Sequence, residues 1–89
     1  MIINPYDRER LLRKFPRAEF RPIDKTKGFE VGKTYFCGYW HEAFEVLEIE
    51  RNVPIWDTVY FVKWEDGHTN AHSTEPDYRR DFEIIFEEA

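Results

Sequence analysis

The residues with the clearest chemical potential are one cysteine and three histidines. Cys37 and His41 are four positions apart, and so are His68 and His72. Thiolate and imidazole groups are preferred zinc ligands, so the two pairs together would offer four. This spacing, however, brings side chains together on a helix rather than on an extended strand, and one thiolate anchors zinc weakly. We therefore expect no metal and no other cofactor, with Cys37 as a small buried apolar residue and the histidines in solvated loops.

Catalysis would need a nucleophile, a base and an acid in one place. Cys37 with a histidine and a carboxylate could nominally form such a set. With 3 His and 18 Asp+Glu in the chain, however, some such triple is almost inevitable. The sequence has no glycine-rich phosphate loop and no nucleophile-elbow motif, and a small core leaves little room for a deep pocket. We expect the protein not to be an enzyme.

Length and composition limit the class of protein. The chain has 89 residues, of which 42% are hydrophobic and 18% aromatic, and this fits one domain with a small core. A single Cys excludes an internal disulfide framework. No apolar run approaches the roughly 20 residues of a membrane span. After Met1 come Ile2-Ile3, Asn4-Pro5 and a charged stretch rather than a signal peptide. We expect a soluble cytoplasmic protein with no membrane partner.

Charge divides the chain into a basic and an acidic part. Residues 1–28 carry 8 basic and 4 acidic side chains, so this N-terminal arm has a charge of +4. Residues 29–89 carry 5 basic and 14 acidic side chains, which gives −9 and a net charge of −5 for the whole chain. We predict a basic helix and linker over 1–28 and an acidic body over 29–89. The body would repel phosphate backbones, whereas the arm could attract them.

Local patterns predict one short helix followed by five strands. Asn4 is a favoured N-cap, Pro5 fits the first helical position and Pro16 ends the pattern, so we predict a helix over 5–15. Residues 16–28 are predicted to form a linker without a regular element. Runs rich in β-branched and aromatic residues then predict strands at 33–40, 43–50, 57–64, 69–74 and 81–86.

The second predicted strand contains an irregularity. By simple alternation Phe44 and Val46 share one face, whereas Leu47 and Ile49 share the other. One extra residue near Val46-Leu47 would bring both pairs to the same face, so we expect a bulge or a strong bend there. Five short strands with a bend in the second predict a mainly β fold, a small closed sheet with a short N-terminal α-helix.

Three segments of the chain resemble the SH3-like small β-barrels, in particular the Tudor and chromo-like domains. They are Val31-Gly32 with Tyr35, then Phe44–Ile49, and then Tyr60–Gly67. The resemblance covers about residues 30–86 and does not include the N-terminal helix. It implies a five-stranded SH3-like barrel.

The resemblance also implies a binding mode. Tudor-like domains often hold a methylated lysine or arginine in an aromatic cage at one end of the barrel, because ring faces attract cations. In this sequence the cage would consist of Trp40, Phe44 and Trp64, with Asp66 as its polar member. The same aromatic residues could instead form the barrel core, or an apolar groove for a peptide.

We hypothesise that the protein is a non-catalytic interaction module that binds a protein or peptide partner. Its binding site would be an aromatic surface at one end of the barrel. The predicted binding residues are Tyr39, Trp40, Phe44, Trp56, Trp64 and Asp66.

Two other hypotheses stay open. The acidic body could mimic the phosphate array of a nucleic acid and act as a decoy for a nucleic-acid-binding protein. Alternatively, the arm could bind nucleic acid directly. Its basic side chains include Arg8, Arg10, Arg13, Lys14, Arg17 and Arg21. The sequence leaves the oligomeric state undetermined.

Overall fold

One antiparallel sheet and one short helix form the regular structure of residues 3–86, the part of the chain that the computed structural model describes. In chain order the elements are α1 (Pro5–Lys14), β1 (Ala18–Pro22), β2 (Thr34–Cys37), β3 (Glu42–Val53), β4 (Asp57–Trp64), β5 (Thr69–His72) and β6 (Phe82–Phe86). In space the strands follow the order β1-β6-β2-β3-β4-β5.

The mainly β fold with a short helix is confirmed, but within residues 3–86 the sheet has six strands rather than the predicted five. The additional strand is β1, which lies in the segment predicted as a linker. It pairs with β6 and places Phe20 opposite Ile84. β1 and β5 stand at opposite edges and do not pair within residues 3–86, so the sheet is not closed into the predicted barrel.

The helix α1 lies close to its predicted bounds. Oδ1 of Asn4 accepts a hydrogen bond from the backbone N–H of Tyr6 at 2.8 Å, which caps the first turn. The helix ends at Lys14, with Phe15 as its C-cap, one residue before Pro16. Residues 3–86 contain no helix that is long and apolar enough to cross a membrane.

Strand β3 carries the predicted irregularity. Its pairing with β4 shifts by one residue between Val46 and Glu48, so Leu47 has no partner of its own. This bulge confirms the predicted irregularity and brings Ile49 to the same side of the sheet as Val46. The expectation that Leu47 joins them was wrong, because Leu47 is the unpaired bulge residue and is 44% exposed.

The two faces of the sheet each contain apolar residues. One face, here called the inner face, holds the larger cluster. Phe29 lies at its centre and packs edge-on against Tyr35 and Tyr60, with ring centroids 4.8 and 5.2 Å apart. The buried residues of this cluster are Ile23, Phe29, Tyr35, Phe44, Val46, Tyr60, Val62 and Trp64.

The opposite or outer face is covered by α1 over only part of its width. The helix buries Leu11 completely against the half formed by β1, β6, β2 and the start of β3. The strand residues of that cluster are Phe36, Ala43, Phe82 and Ile84. Over the rest of β3, β4 and β5 the outer face has no helix above it within residues 3–86.

Polar contacts fix the helix to the body. The guanidinium of Arg10 donates to both carboxylate oxygens of Glu65, at 2.9 and 3.2 Å, and to the backbone oxygen of His41 at 2.8 Å. The buried carboxylate of Asp7 contacts Nδ1 of His41 at 2.8 Å. Part of the arm's positive charge is therefore neutralised by the acidic body.

Candidate functional site

A cleft of about 510 Å³ opens at the end of the sheet where β2 ends and β5 meets the segment before β6. We call it the aromatic cleft. Its lining residues are Phe29, Cys37, Tyr39, Trp40, Phe44, Trp64, Asn70, His72, Thr74, Glu75, Arg80 and Asp81. It therefore combines several rings with a small number of polar groups, as small binding sites commonly do.

The cleft has a buried floor and an exposed rim. Phe44 and Trp64 form the floor, and their ring centroids are 5.1 Å apart. Tyr39 and Trp40 form the rim, where 62% and 65% of their surfaces are exposed. These two rings pack edge to face at 4.9 Å. The rim thus presents two large rings to solvent on top of the inner core.

Close packing at one glycine fixes the rim. The backbone N–H of Gly38 donates to Oδ1 of the buried Asp81 at 2.8 Å, and the other oxygen of this carboxylate accepts from the Asp77 N–H at 2.9 Å. A Cβ atom at Gly38 would lie 2.7 Å from the backbone oxygen of Arg80. Only glycine therefore fits at this point, and the loop that carries the rim is tied to the segment before β6.

Charged and polar groups surround the rings. The guanidinium of Arg80 lies over the Tyr39 ring, 5.2 Å from its centroid. The Tyr60 hydroxyl donates to Glu75 at 2.9 Å, and burial together with this carboxylate raises the pKa of Tyr60. The Trp64 indole N–H donates to Asn70 at 2.9 Å. These contacts hold the floor and one wall of the cleft in place.

His72 is the polar residue in this region with an unsatisfied atom. Its Nδ1 is buried and has no hydrogen-bond partner within residues 3–86. The ring lies against Phe44, Tyr60 and Trp64, with centroids 5.9, 5.9 and 6.5 Å away. Burial in these apolar surroundings lowers the pKa of His72, which favours the neutral ring.

The four zinc-competent residues are distributed over three places and do not form one cluster. His41 contacts Asp7 under the helix, and His68 contacts Asp66 in the turn after β4. Cys37 and His72 both line the aromatic cleft. Within residues 3–86, no group of three or more His, Cys, Asp or Glu side chains is arranged to hold a metal ion.

The structure brings together four of the six predicted binding residues. Tyr39, Trp40, Phe44 and Trp64 all line the cleft. Trp56 lies elsewhere, in a depression of about 310 Å³ next to Val59, Ala71, His72 and Ser73. Asp66 is in the β4–β5 turn with His68 and is not among the residues lining the cleft.

Sequence reasoning missed the polar members of the site. His72, Glu75 and Arg80 reach the cleft only because β5 and the segment after it fold back over the inner face. The one available signal was Gly38, a glycine directly before two aromatic residues.

No protein-family model, no curated protein and no solved structure matches this chain.

Proposed function

We propose that the protein is a non-catalytic interaction module and that the aromatic cleft binds an apolar or aromatic side chain of a partner protein. The observation that carries this proposal is the exposed Tyr39–Trp40 pair above a buried aromatic floor. Large rings at the centre of an interface contribute most of the binding energy in many complexes.

The rigidity of the rim supports a binding role. Tyr39 and Trp40 follow Gly38, whose backbone is fixed by Asp81. The next residue, His41, is held from the helix by Asp7 and Arg10. Rings that are already ordered in the free protein lose little conformational freedom when a partner binds.

The positions of Arg80 and Asp66 favour an uncharged side chain over a methylated cation at the rim of the cleft. Arg80 already lies over Tyr39, so a second cation on this ring would be repelled. Asp66, the expected acidic member of a cage, pairs with His68 outside the lining. Asn70 and Thr74 also line the cleft and offer the Asn70 amide N–H groups and the Thr74 hydroxyl to the backbone of a bound segment.

We also propose the finer SH3-like assignment of the body. It is supported by the bulge at Leu47 in β3, which lets Val46 and Ile49 face one common core.

The test compares two exposed aromatic residues, of which only one lines the cleft. Trp40 is 65% exposed in the cleft, and Tyr6 is 79% exposed on α1 and is not among the lining residues. Tagged wild-type, Trp40→Ala and Tyr6→Ala proteins would capture partners from lysate of the source cell, with and without nuclease, and be quantified by mass spectrometry. We expect a protein partner that survives nuclease and whose affinity falls roughly 30-fold with Trp40→Ala. With Tyr6→Ala the binding of this partner would stay nearly unchanged.

Melting temperatures verify that both variants are folded. Both substitutions should change the melting temperature by no more than about 4 °C, as expected for exposed side chains.

Three outcomes of the capture experiment would contradict the proposal. Equal loss of binding with both would contradict a role specific to the cleft. A partner that is insensitive to Trp40→Ala but lost steeply with salt would favour the acidic decoy. Recovery only through nucleic acid would favour the basic arm.

A further inference from the structure

The outer face carries an apolar patch over β3, β4 and β5, beside the half that α1 covers. We call it the open patch, and it consists of Leu47, Trp56, Val59, Phe61 and Ala71. Leu47, Trp56 and Ala71 are exposed, whereas Val59 and Phe61 are half-buried. Register shows that Phe61 and Ala71 are direct neighbours across β4 and β5. Two depressions of about 310 and 290 Å³ lie along the patch, one at Trp56 and Val59 and one at Leu47 and Phe61.

A row of carboxylates borders the open patch on β3. Glu48 pairs in register with Phe61 and Glu50 with Val59, so both face the patch side of the sheet. Glu45 lies further along the same row, opposite Lys63. All three glutamates are exposed, and none of them forms an ion pair within residues 3–86. The patch is thus apolar in its middle and acidic along one side.

The chain itself shows what covers such a surface. On the neighbouring half of the same face, α1 inserts Leu11 into the apolar cluster and pairs Arg10 with Glu65 at the border. This helix is amphipathic, and the arm that contains it is basic. The open patch offers the same combination of apolar groups and bordering carboxylates, and no helix of residues 3–86 lies over it.

The spacing of the patch also suits a helix. Side chains two residues apart on a strand, such as Val59 and Phe61, are separated by roughly 6.6 Å. Side chains four residues apart on a helix rise by roughly 6 Å and share one face. A helix that lies along β4 can therefore place apolar side chains from successive turns over Val59 and over Phe61.

Charge argues against a second copy of this chain as the occupant. A two-fold dimer through the open patch would bring the same surface of each copy together. The carboxylates of Glu45, Glu48 and Glu50 would then border the interface from both sides, and like charges at such close range are repulsive. The same charges repel anionic lipid and nucleic acid.

We infer that the open patch binds a basic amphipathic helix of a partner protein. The apolar side chains of that helix lie on Trp56, Val59 and Phe61, and its lysines or arginines lie over Glu48 and Glu50. This site is separate from the aromatic cleft and does not depend on the function proposed for it.

The experiment uses the full chain and a synthetic peptide of stated chemistry. The probe is an amphipathic peptide of about 18 residues, long enough to be helical, with leucine on one face and lysine on the flanks. Its binding is followed by chemical-shift changes of the protein's backbone amides. We expect the largest changes at Val59, Phe61 and Ala71. We also expect that a peptide with glutamate in place of lysine binds at least tenfold more weakly.

Two charge-reversal variants separate local from global electrostatics. Glu48→Lys with Glu50→Lys should lower the affinity for the lysine peptide roughly tenfold and raise the affinity for the glutamate peptide. Glu9→Lys with Glu19→Lys changes the net charge equally at exposed sites on the arm, and should change the affinity less than about threefold. Circular dichroism and melting temperature verify that each variant is folded.

Four outcomes would overturn the inference. They are shift changes centred on Tyr39 and Trp40, equal affinity for the two peptides, equal effects of the two charge reversals, and no binding at all. Concentration-dependent dimerisation of the free protein, with shift changes at the open patch, would assign the surface to a second copy and would also reject the inference.

Discussion

The two halves of the outer face differ in burial, although both are apolar. Over β1, β6 and β2 the chain supplies its own cover, and Leu11 of α1 has no exposed surface. Over the rest of β3, β4 and β5 no helix of residues 3–86 lies above the sheet, and Leu47 on β3 is 44% exposed. The comparison indicates that apolar composition alone does not define the core, because the same face is buried only where a helix reaches it.

The largest expected difference between the halves is the effect of removing a leucine. Leu11→Ala should lower the free energy of unfolding by about 3–4 kcal/mol, since it leaves a cavity under the helix. Leu47→Ala should lower it by less than about 1 kcal/mol, because the side chain is partly solvated already. Urea unfolding of both variants measures this. Equal losses would mean that the open patch contributes to the core as the covered half does.

The two ion pairs of the helix should also differ in how much they contribute to the free energy of unfolding. Arg10 pairs with the buried carboxylate of Glu65, whereas Arg13 pairs with Glu9 and both of these are exposed. Arg10→Ala should cost about 1–2 kcal/mol, because it leaves Glu65 without its bidentate partner. Arg13→Ala should cost no more than about 0.5 kcal/mol. If chemical denaturation gave equal values, the covered half would not depend on its buried pair.

The hairpin tip next to the open patch offers a stabilising change. Ile55 has a φ of 75° and is 96% exposed, so its backbone is strained and its side chain gains little from packing. Ile55→Gly should raise the free energy of unfolding by about 1 kcal/mol. Asn52, with a φ of 59°, tolerates this region better, so Asn52→Gly should change stability by only a few tenths of a kcal/mol. A thermal melt of both variants shows whether Ile55→Gly stabilises the protein more than Asn52→Gly does. Destabilisation by Ile55→Gly would contradict the strain argument.

The smallest expected effect is a pH dependence from His72, which lies between the aromatic cleft and the open patch. In the folded protein, burial lowers the pKa of His72 below its ordinary value of 6.5. As the pH falls, His72 therefore takes up a proton in the unfolded chain before it does so in the folded protein. Stability from this group is complete above about pH 7 and is lost as the pH falls through 6.5 towards the folded pKa. His72→Gln should reduce the slope of stability between about pH 7 and pH 5. An unchanged slope would assign that dependence to other groups.

Much of the fold was predictable because its signals are local. The Asn4-Pro5 cap fixed the start of α1, and the alternation around Val46 and Leu47 located the bulge. Strand β1 could not be found in this way. Its sequence is charged and bounded by Pro16 and Pro22, and its regular conformation depends on pairing with β6.

The candidate site was predictable for its rings on strands, but not for its rings in turns or for its polar groups. Trp64 alternates with Tyr60 and Val62 along β4, so its inward direction follows from strand periodicity. Trp40 and Trp56 lie outside strands, where no periodicity indicates a direction. His72, Glu75 and Arg80 meet the rings through tertiary folding alone.

The pairing of β1 with β6 also bears on how the chain reaches its native state. Pro22 lies opposite Phe82 and Ala18 opposite Phe86, so most of the chain separates the partners. Such non-local contacts slow folding, because a long loop must close before they form. During synthesis the meander β2–β5 can form first. The N-terminal strand and the helix above Phe82 must wait until β6 has left the ribosome, so Leu11 and Phe20 remain accessible to chaperones until that strand has emerged.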